Sequence, residues 1–279
     1  MAPHHCTFAL SAEAGYPRAM LASPLTDALE AIAPLRYAES WDNVGLLVGS
    51  PDHLITKVML CIDYTDAVAK EADAKHADFV VAYHPIIFEG IKRIAGDTLI
   101  YDAIKKGRGI YSPHTALDIA EGGTNDVLAD AVGMTARHPL RKLGKRNEAE
   151  ENMGLGRVGP VNARTRAEVV AQVKTNLKLT TVLVAGPEDG PVSMVAVSAG
   201  SAGDMIKDAQ RAGVDLYVTG ELRHHDALWA AARGMTVVCL RHSTSERAVL
   251  VRLAQLLRER LRGLDVVLSE SDADPFRFV

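Results

Sequence analysis

With 279 residues, 48% of them hydrophobic and 24% charged, the chain is long enough to build one large domain or two ordinary ones around a buried core. Its formal net charge of −4 argues against nucleic-acid binding through bulk electrostatics. No apolar stretch approaches the roughly 18 residues of a membrane-spanning helix. Three dispersed cysteines, Cys6, Cys61 and Cys239, fit a reducing compartment, so we expect a cytoplasmic protein without a membrane partner.

Residues 1–23 lack the basic start and the apolar region of a signal peptide, and we expect a loose N-terminal extension with Met20 as an alternative start. Beyond it, short β-rich apolar runs alternate with helical patterns, as in βαβ units. In the first half this alternation predicts strands at 57–63, 78–84 and 109–112 and helices at 67–75 and 98–106.

The middle of the chain, 138–190, differs in character from the two halves. A charge-blocked and exposed connection is expected at 141–151, followed by an amphipathic helix at 165–177 that is capped by Thr165. The second half then predicts strands at 193–199, 215–219, 235–240 and 266–268 and helices at 203–212, 225–232 and 245–262.

The two halves look like diverged copies of one unit. Residues 77–81, Ala-Asp-Phe-Val-Val, correspond to residues 214–218, Val-Asp-Leu-Tyr-Val, and counting on from the aspartate sets His84 opposite Glu221. The alternative is a coincidence between two ordinary βαβ units. The repeat predicts an α/β fold with one lobe at 24–137 and a similar lobe at 191–279, joined by 138–190 without a large inserted domain.

A pattern of histidine, hydroxyl residue, two spacers and carboxylate occurs twice, each time just after an apolar run. It joins His114 to Asp118 and His242 to Glu246. Side chains four residues apart can share a helical face, so one turn can offer a nitrogen and an oxygen to the same metal ion. The alternative is that Asp118 and Glu246 are solvated helix residues, and a carboxylate in the first turn of a helix is favourable without a metal.

The candidate functional residues all lie at or just beyond the last apolar residue of a predicted strand. Open α/β sheets bind ligands in the crevice at that edge. The residues at 200–204 could cradle a phosphate with their backbone N–H groups, or could form a tight turn that needs glycine. The candidate residues at these strand ends are Asp63, His84, His114, Gly200, Glu221 and His242.

Residues 154–159, Gly-Leu-Gly-Arg-Val-Gly, match a dinucleotide-binding pattern of glycines. The pattern requires a strand before it and a helix after it. Here no strand leads in, and Pro160 follows in place of a helix. We therefore reject a dinucleotide site.

Several motifs together resemble those of the dinuclear-metal-centre hexameric proteins, also called Nif-three-like proteins or type 2 GTP cyclohydrolase I homologues. Residues 40–49, Ser-Trp-Asp-Asn-Val-Gly-Leu-Leu-Val-Gly, resemble that family's N-terminal motif, and residues 83–88, Tyr-His-Pro-Ile-Ile-Phe, its next one. The remaining similar motifs follow in the family's order at 112–118, 154–159, 219–225, 242–247 and 269–275.

The resemblance implies two divalent metal ions per chain, of zinc, manganese or iron. It also implies two similar α/β lobes that face each other across the metal site, in a homohexamer. Many family members carry His-His-Pro where this chain has Tyr83, His84 and Pro85. One metal position is therefore expected to be weaker, to hold a different ion or to be supported by His114. The implied metal ligands are His84, Asp118, His242 and Glu246.

The resemblance further implies a metal-dependent hydrolase acting on a small molecule, by family annotation a nucleotide such as GTP, whose imidazole ring would be opened. His114, Glu221 and His224 are the candidate proton carriers for that reaction. The alternative is a non-catalytic metal-binding scaffold or a regulatory module that contacts other proteins.

Overall fold

The computed structural model describes residues 19–143, 153–277 and 279. Most of the N-terminal extension expected at 1–23, and most of the charged connection, lie outside these residues. Within the described part, strand β1 (Met20–Leu21) pairs with β3 (Leu54–Ile55), and helix α1 (Ser23–Ile32) follows at once. Residues 20–23 of the expected extension therefore belong to the fold.

The first sheet has five strands, in the order β14-β4-β5-β6-β2. Its four neighbouring parallel strands are β14 (Asp265–Leu268), β4 (Lys57–Cys61), β5 (Phe79–Ala82) and β6 (Gly109–Ser112). The edge strand β2 (Gly45–Val48) runs antiparallel to β6.

Helices cover both faces of this sheet, because alternate strand residues point to opposite sides. Val58 and Leu60 of β4 pack with α1 and with α10 (Ala248–Arg260). Met59 and Cys61 of the same strand pack with α2 (Asp66–Ala74) and α3 (Leu99–Lys105) on the other face. Four of the five residues of β4 are apolar and only Lys57 is charged, as expected for a strand buried on both faces.

The second sheet also has five strands, in the order β10-β13-β12-β11-β9. Strands β11 (Pro191–Ser198), β12 (Leu216–Thr219) and β13 (Thr236–Cys239) are parallel, whereas β9 (Arg157–Thr165) and β10 (Leu183–Ala185) are antiparallel edges. Helices α5 (Thr124–Val132) and α6 (Arg166–Asn176) cover one face, and α7 (Ile206–Arg211) and α8 (His224–Ala231) cover the other.

The central order of strands is the same in the two sheets. Each has three adjacent parallel strands followed by one antiparallel edge, β4-β5-β6-β2 in the first and β11-β12-β13-β10 in the second. The repeat aspartates make the same contact: Oδ2 of Asp78 accepts from the backbone N–H of Lys57 at 3.1 Å, and Oδ2 of Asp215 accepts from Met194 at 3.0 Å. Each carboxylate thus holds the neighbouring strand one residue before the first residue that pairs in parallel with the strand after the aspartate, Val58 in β4 and Val195 in β11.

The first sheet is not built from one continuous stretch of chain, and the second sheet, whose five strands all lie within 157–239, is covered in part by a helix from outside that stretch. Strand β14, at the end of the range expected for the second lobe, pairs with β4 of the first sheet. Helix α5, from the range expected for the first lobe, packs on the second sheet through Leu128 and Val132. The segment 138–190, expected as a connection, supplies β9, α6 and β10, and both strands belong to the second sheet.

Most predicted helices and strands occur within a few residues of their expected bounds, and the largest difference concerns the helix expected at 245–262. It is two helices, α9 (His242–Glu246) and α10, separated at Arg247. The helix expected at 203–212 begins as a 3-10 turn at Gly203–Met205 before α7. Thr165 caps α6 as predicted, in a capping box with Glu168, which typically stabilises a helix by about 1 kcal/mol.

The fold class is mixed α/β, as expected from the alternation of strands and helices. Across the described ranges, no helix is both long and apolar enough to cross a membrane.

Candidate metal centre

Three of the four predicted metal ligands lie together where the two sheets meet. His84 follows β5, His242 begins α9 directly after β13, and Glu246 lies one turn further along α9. One ligand atom from each lies within 4.8 Å of the others. Nε2 of His84 is 3.3 Å from Oε2 of Glu246, and Nε2 of His242 is 3.3 Å from Oε1 of the same carboxylate. The two imidazoles therefore flank a single carboxylate.

The contact between His84 and Glu246 does not have the geometry of a hydrogen bond. Nε2 of His84 and Oε2 of Glu246 are both buried without a hydrogen-bond partner in the part of the chain that the structure describes. An unsatisfied buried polar group costs roughly 1–3 kcal/mol. Two facing unsatisfied atoms, one nitrogen and one oxygen, suit a shared divalent cation, because zinc and related ions bind imidazole and carboxylate together. The residues present fit a metal ion.

Carboxylates behind the two imidazoles orient them. Nδ1 of His84 lies 2.9 Å from Oδ1 of Asp63, and Nδ1 of His242 lies 3.4 Å from Oε2 of Glu221. A carboxylate at Nδ1 leaves Nε2 to face a metal, the arrangement commonly found behind metal-binding histidines. Glu221, predicted as a proton carrier, thus contacts His242 on the side of the ring that faces away from Glu246.

These carboxylates also govern the charge of the imidazoles when no ion is bound. Burial disfavours a charged His84, but the hydrogen bond to Asp63 and the adjacent carboxylate of Glu246 outweigh it and raise the pKa of His84 to about 10. The carboxylate of Glu246, 3.3 Å away, raises the pKa of His242 to about 9. For Glu246 itself, burial opposes ionisation, yet the two histidines hold its pKa below the usual value. Without an ion, both imidazoles are therefore doubly protonated and positively charged at neutral pH.

Asp118, the fourth predicted ligand, lines the same cleft but lies outside the three-residue group. Its Oδ1 accepts a hydrogen bond from the fully buried hydroxyl of Tyr83, which also lies 3.0 Å from Oγ1 of Thr124. Burial and the nearby charge of Glu246 raise the pKa of Asp118 to about 6. One oxygen of Asp118 is therefore already engaged by Tyr83.

His114 forms a separate pair with Asp42. Nδ1 of His114 lies 2.8 Å from Oδ1 of Asp42, and Oδ2 of Asp42 accepts from the backbone N–H of Thr115 at 3.1 Å. Burial opposes ionisation of Asp42, but the hydrogen bonds from His114 and Thr115 lower its pKa overall. The ring of His114 is 5.3 Å from that of His84. The pair therefore borders the group formed by His84, His242 and Glu246, called the metal group below. Sequence reasoning missed Asp42, since 72 residues separate it from His114 and only its place in the 40–49 motif singled it out.

Comparison with known proteins supports the motif analysis. The model of the family described as Duf34/NIF3 (NGG1p interacting factor 3) matches residues 20–275. The chain belongs to this family. It is 32% identical over 266 residues to the GTP cyclohydrolase 1 type 2 homolog of Clostridium perfringens, covering 93% of this chain and 100% of that protein. It is 36% identical over 278 residues to the NIF3 homolog of Schizosaccharomyces pombe, covering 92% and 98%.

The crystal structure of a Bacillus cereus protein related to NIF3 shares the fold, with a TM-score of 0.82 at 22% sequence identity over 95% of this chain and 100% of that one. The family resemblance predicted from the motifs is confirmed.

When the two halves of this NIF3-family chain are aligned by the repeat, the second His-x-x-x-acid motif begins one residue later than the first. The backbone N–H of His114 bonds the carbonyl of Tyr83, and the equivalent bond in the second half joins Arg241, not His242, to Gly220. Both donors have a positive φ, 27° at His114 and 75° at Arg241. The offset explains why His242 enters the metal group whereas His114 pairs with Asp42.

A side chain at residue 200 would collide with Glu246 and contact His242. The φ of Gly200 is +68°, and a Cβ there would lie 2.6 Å from Oε1 of Glu246 and 3.5 Å from Nε2 of His242. Its backbone N–H donates to Oγ of Ser245 at 2.8 Å. The tight-turn interpretation of residues 200–204 therefore explains the glycine. Residues 154–159 form β8 (Gly154–Leu155) and the start of β9, so a strand and not a helix follows the first two glycines.

The metal group lies in a cleft of about 570 Å³ that draws residues from the carboxyl ends of strands in both sheets. His114 and Asp118 line this cleft, and Glu221 lines a neighbouring one of about 770 Å³. His224 is exposed at the start of α8, with its ring 5.3 Å from that of His225, and lines neither of these two clefts. The proton-transfer roles of His114, Glu221 and His224 remain predictions.

Proposed function

We propose that the protein is a divalent-metal-dependent hydrolase whose ion is held by His84, His242 and Glu246. The observation that carries the proposal is the pair of facing ligand atoms, Nε2 of His84 and Oε2 of Glu246, which are buried without another partner among the described residues. Zinc, manganese and iron all bind such a mixed nitrogen and oxygen donor set. A bound ion supplies Lewis acidity and lowers the pKa of a coordinated water.

His114 is the proposed proton carrier. Because the carboxylate of Asp42 can only accept, the proton shared between them lies on Nδ1 of His114 and leaves Nε2 as the accepting atom. Glu221, whose side chain is 48% exposed, can exchange protons with solvent while it orients His242. His224 is proposed for the same exchange because it lies within the family motif at 219–225.

A nucleotide is the proposed substrate, and hydrolytic opening of the imidazole ring of GTP is the proposed reaction. The support comes from the cleft and from a relative. The cleft of about 570 Å³ is within the usual range of small-molecule sites. The Clostridium perfringens relative is named a homolog of a GTP cyclohydrolase.

Two ions per chain are proposed, with unequal affinity. The first belongs to the three-residue group. The second would use Asp118, and its binding is expected to be the weaker because Tyr83 occupies one oxygen of that carboxylate. A homohexamer in the cytoplasm, with two α/β lobes facing each other across the metal site, completes the proposal and is supported by the family resemblance.

The alternative function, a metal-binding scaffold or regulatory module, is supported by the family description as an interacting factor. The Glu246→Gln variant separates the two. A hydrolase loses turnover of GTP while its assembly is unchanged, whereas a scaffold loses partner binding or assembly. The matched control is Glu259→Gln on α10, which makes the same change at an exposed residue away from the cleft.

The experiment combines elemental analysis of protein purified without chelator with chromatographic detection of ring-opened GTP. We expect metal in the parent protein and in the Glu259→Gln control, with turnover in both. Metal-loaded protein that leaves GTP unchanged at high protein concentration would rule out the cyclohydrolase reaction. Absence of metal after add-back would rule out the metal centre itself.

A further inference from the structure

Two large aromatic side chains are exposed at the edge of the metal cleft. Trp41 is 57% exposed and Phe88 is 51% exposed, and both line the cleft that contains Glu246. Their ring centroids are 5.9 Å apart with the planes tilted by 52°, and the Trp41 ring lies edge-on to His114 at 6.0 Å. Side chains of this size usually contribute to a core, so a paired exposure beside a candidate active site needs a reason.

The backbone on both sides of Trp41 is anchored. Before it, the backbone N–H of Glu39 donates to Oγ1 of Thr115 at 3.0 Å. After it, the carboxylate of Asp42 accepts from the His114 and Thr115 side chains, and Oδ1 also accepts from the backbone N–H of Asn43 at 2.8 Å. The indole is therefore presented from a fixed segment and not from a loose loop.

The segment that carries Phe88 is tied to the same anchor. The side-chain amide of Asn43 donates to the carbonyl of Ile87 at 2.5 Å, directly before Phe88. A single stretch, 41–43, thus supplies one aromatic ring, positions His114 through Asp42 and holds the second aromatic ring through Asn43. This arrangement preorganises the two rings relative to His114, which lowers the entropy cost of binding a ligand.

Apolar side chains of the second-sheet side, Leu155, Ala202 and Met205, line the same cleft. A flat unsaturated ring has apolar faces and polar edges, so it fits between aromatic rings and an apolar wall while its heteroatoms point towards the metal group. A purely aliphatic or phosphate ligand would leave the two exposed aromatic rings unused.

We propose that Trp41 and Phe88 form a stacking platform that binds the planar heteroaromatic ring of the substrate and orients it towards His84 and Glu246. This inference rests on the proposed hydrolase function and names the part of the substrate that is recognised. Trp41 is the main contact, and Phe88 supports it from the side. Asp42 and Asn43 act as positioning residues.

Trp41 itself can report the binding. The chain has two tryptophans, and the other, Trp229 on α8, packs against the Arg233 guanidinium 4.2 Å from its ring. The Trp229→Phe variant leaves Trp41 as the sole indole. We would titrate it with guanosine, adenosine and inorganic tripolyphosphate, in metal-loaded and in chelated protein, and follow indole fluorescence. A stacking platform predicts quenching by either nucleoside in both forms and none by tripolyphosphate.

The energetic test is Trp41→Ala, which should raise the dissociation constant for guanosine, measured by calorimetry, by about 10- to 100-fold, the usual loss when one stacked aromatic is removed. Trp41→Phe should restore most of the affinity, and Trp229→Ala should leave it unchanged. If GTP is turned over, Trp41→Ala should raise KM more than it lowers kcat.

Three results would overturn the platform: no quenching by either nucleoside, unchanged affinity in Trp41→Ala, or an indole of Trp41 that iodide cannot reach in the assembled protein. The last would mean that the aromatic pair is buried between copies of the chain. Binding in chelated protein separates this inference from the proposed hydrolase. Nucleoside binding without turnover would refute only the hydrolase, whereas GTP turnover that is indifferent to Trp41 would refute only the platform.

Discussion

The hydroxyl of Tyr83 donates a hydrogen bond to Oδ1 of Asp118, and this bond keeps one carboxylate oxygen away from the neighbouring metal group. Tyr83 is fully buried, so the bond is shielded from water. It links the fourth predicted ligand to the residue directly before His84. The availability of Asp118 to bind an ion therefore depends on Tyr83.

Replacing Tyr83 by phenylalanine should strengthen binding of a second ion. The ring and its packing are kept, while one oxygen of Asp118 is released to coordinate. Loss of a single hydrogen bond to a charged group corresponds to about a tenfold change in affinity. The measurement is metal per chain after dialysis at fixed free-metal concentrations. Tyr111→Phe is the matched control, because its hydroxyl is buried without a hydrogen-bond partner in the described structure. Equal metal content in the two variants would contradict the prediction.

Metal binding should tighten as pH rises through the neutral range. Without an ion, the pKa of His84 is raised to about 10 and that of His242 to about 9 by the carboxylates beside them. An ion must therefore displace both protons, and the logarithm of the apparent affinity should rise by up to about 2 per pH unit below those pKa values. Competition against a chelator at several pH values measures the slope. His84→Gln should lower the slope by about 1, whereas the exposed His225→Gln should leave it unchanged. A slope near zero in the parent protein would be inconsistent with ligation by these imidazoles.

The Gly200→Ala variant should lose metal affinity out of proportion to its loss of stability. The new Cβ would lie 2.6 Å from Oε1 of Glu246 and would push the carboxylate away from the histidines. Gly213→Ala is a close control, since its φ of +69° imposes the same backbone strain as the +68° of Gly200, while nothing lies within 4 Å of its Cβ. We expect both variants to lose about 1 kcal/mol of unfolding free energy, and only Gly200→Ala to lose metal. Denaturation and elemental analysis give the two readings. Similar metal content in both would refute the steric argument.

The buried Arg157 should be needed for stability because it joins β9 to α5. Its Nε lies 2.6 Å from Oδ1 of Asp126. Its Nη2 donates to the carbonyls of Ile119 and Ala120 before α5, and its Nη1 donates to those of Gly154 and Gly156. Removing Arg157 leaves Asp126 with Arg137 as a neighbouring cation at 3.0 Å, but it also leaves buried carbonyls without a donor, so Arg157→Ala should lower the unfolding free energy by about 3 kcal/mol. Arg252→Ala, which breaks an exposed 3.5 Å ion pair with Asp130, should cost less than about 1 kcal/mol. Urea denaturation of both variants tests the difference, and equal losses would contradict it.

The alternation of apolar runs and helical patterns was sufficient to predict the mixed α/β class and the parallel strands of both sheets, but not the antiparallel edge strands β2, β9 and β10. Strands such as β4 and β12 are buried on both faces and are therefore continuous apolar runs in sequence. The family was evident from the order of its motifs. The position of His84 and of His242 just beyond the end of a parallel strand was predicted from the sequence. The two strands belong to different sheets, so the grouping of His84 with His242 and Glu246 was implied only by the family resemblance.

Contacts between distant parts of the chain decided the remainder. The return of β14 to the first sheet depends on pairing with a strand about 200 residues earlier, and no local pattern specifies which sheet a short apolar strand joins. The role of Asp42 depends on a backbone path that brings it to His114 across 72 residues. The one-residue offset between the two histidine motifs appears only when strand register is known.

The sequence by itself therefore determined which residues have the chemistry to bind a metal, since that chemistry belongs to side chains and to their local spacing. Tertiary structure decided which of them lie close enough to share an ion and which are engaged elsewhere. That choice depends on distances of a few ångströms, such as those that place Glu246 between two imidazoles and Asp118 against Tyr83. Local spacing cannot specify such distances, because they result from the packing of two sheets, the first of which joins strands about 200 residues apart in the chain.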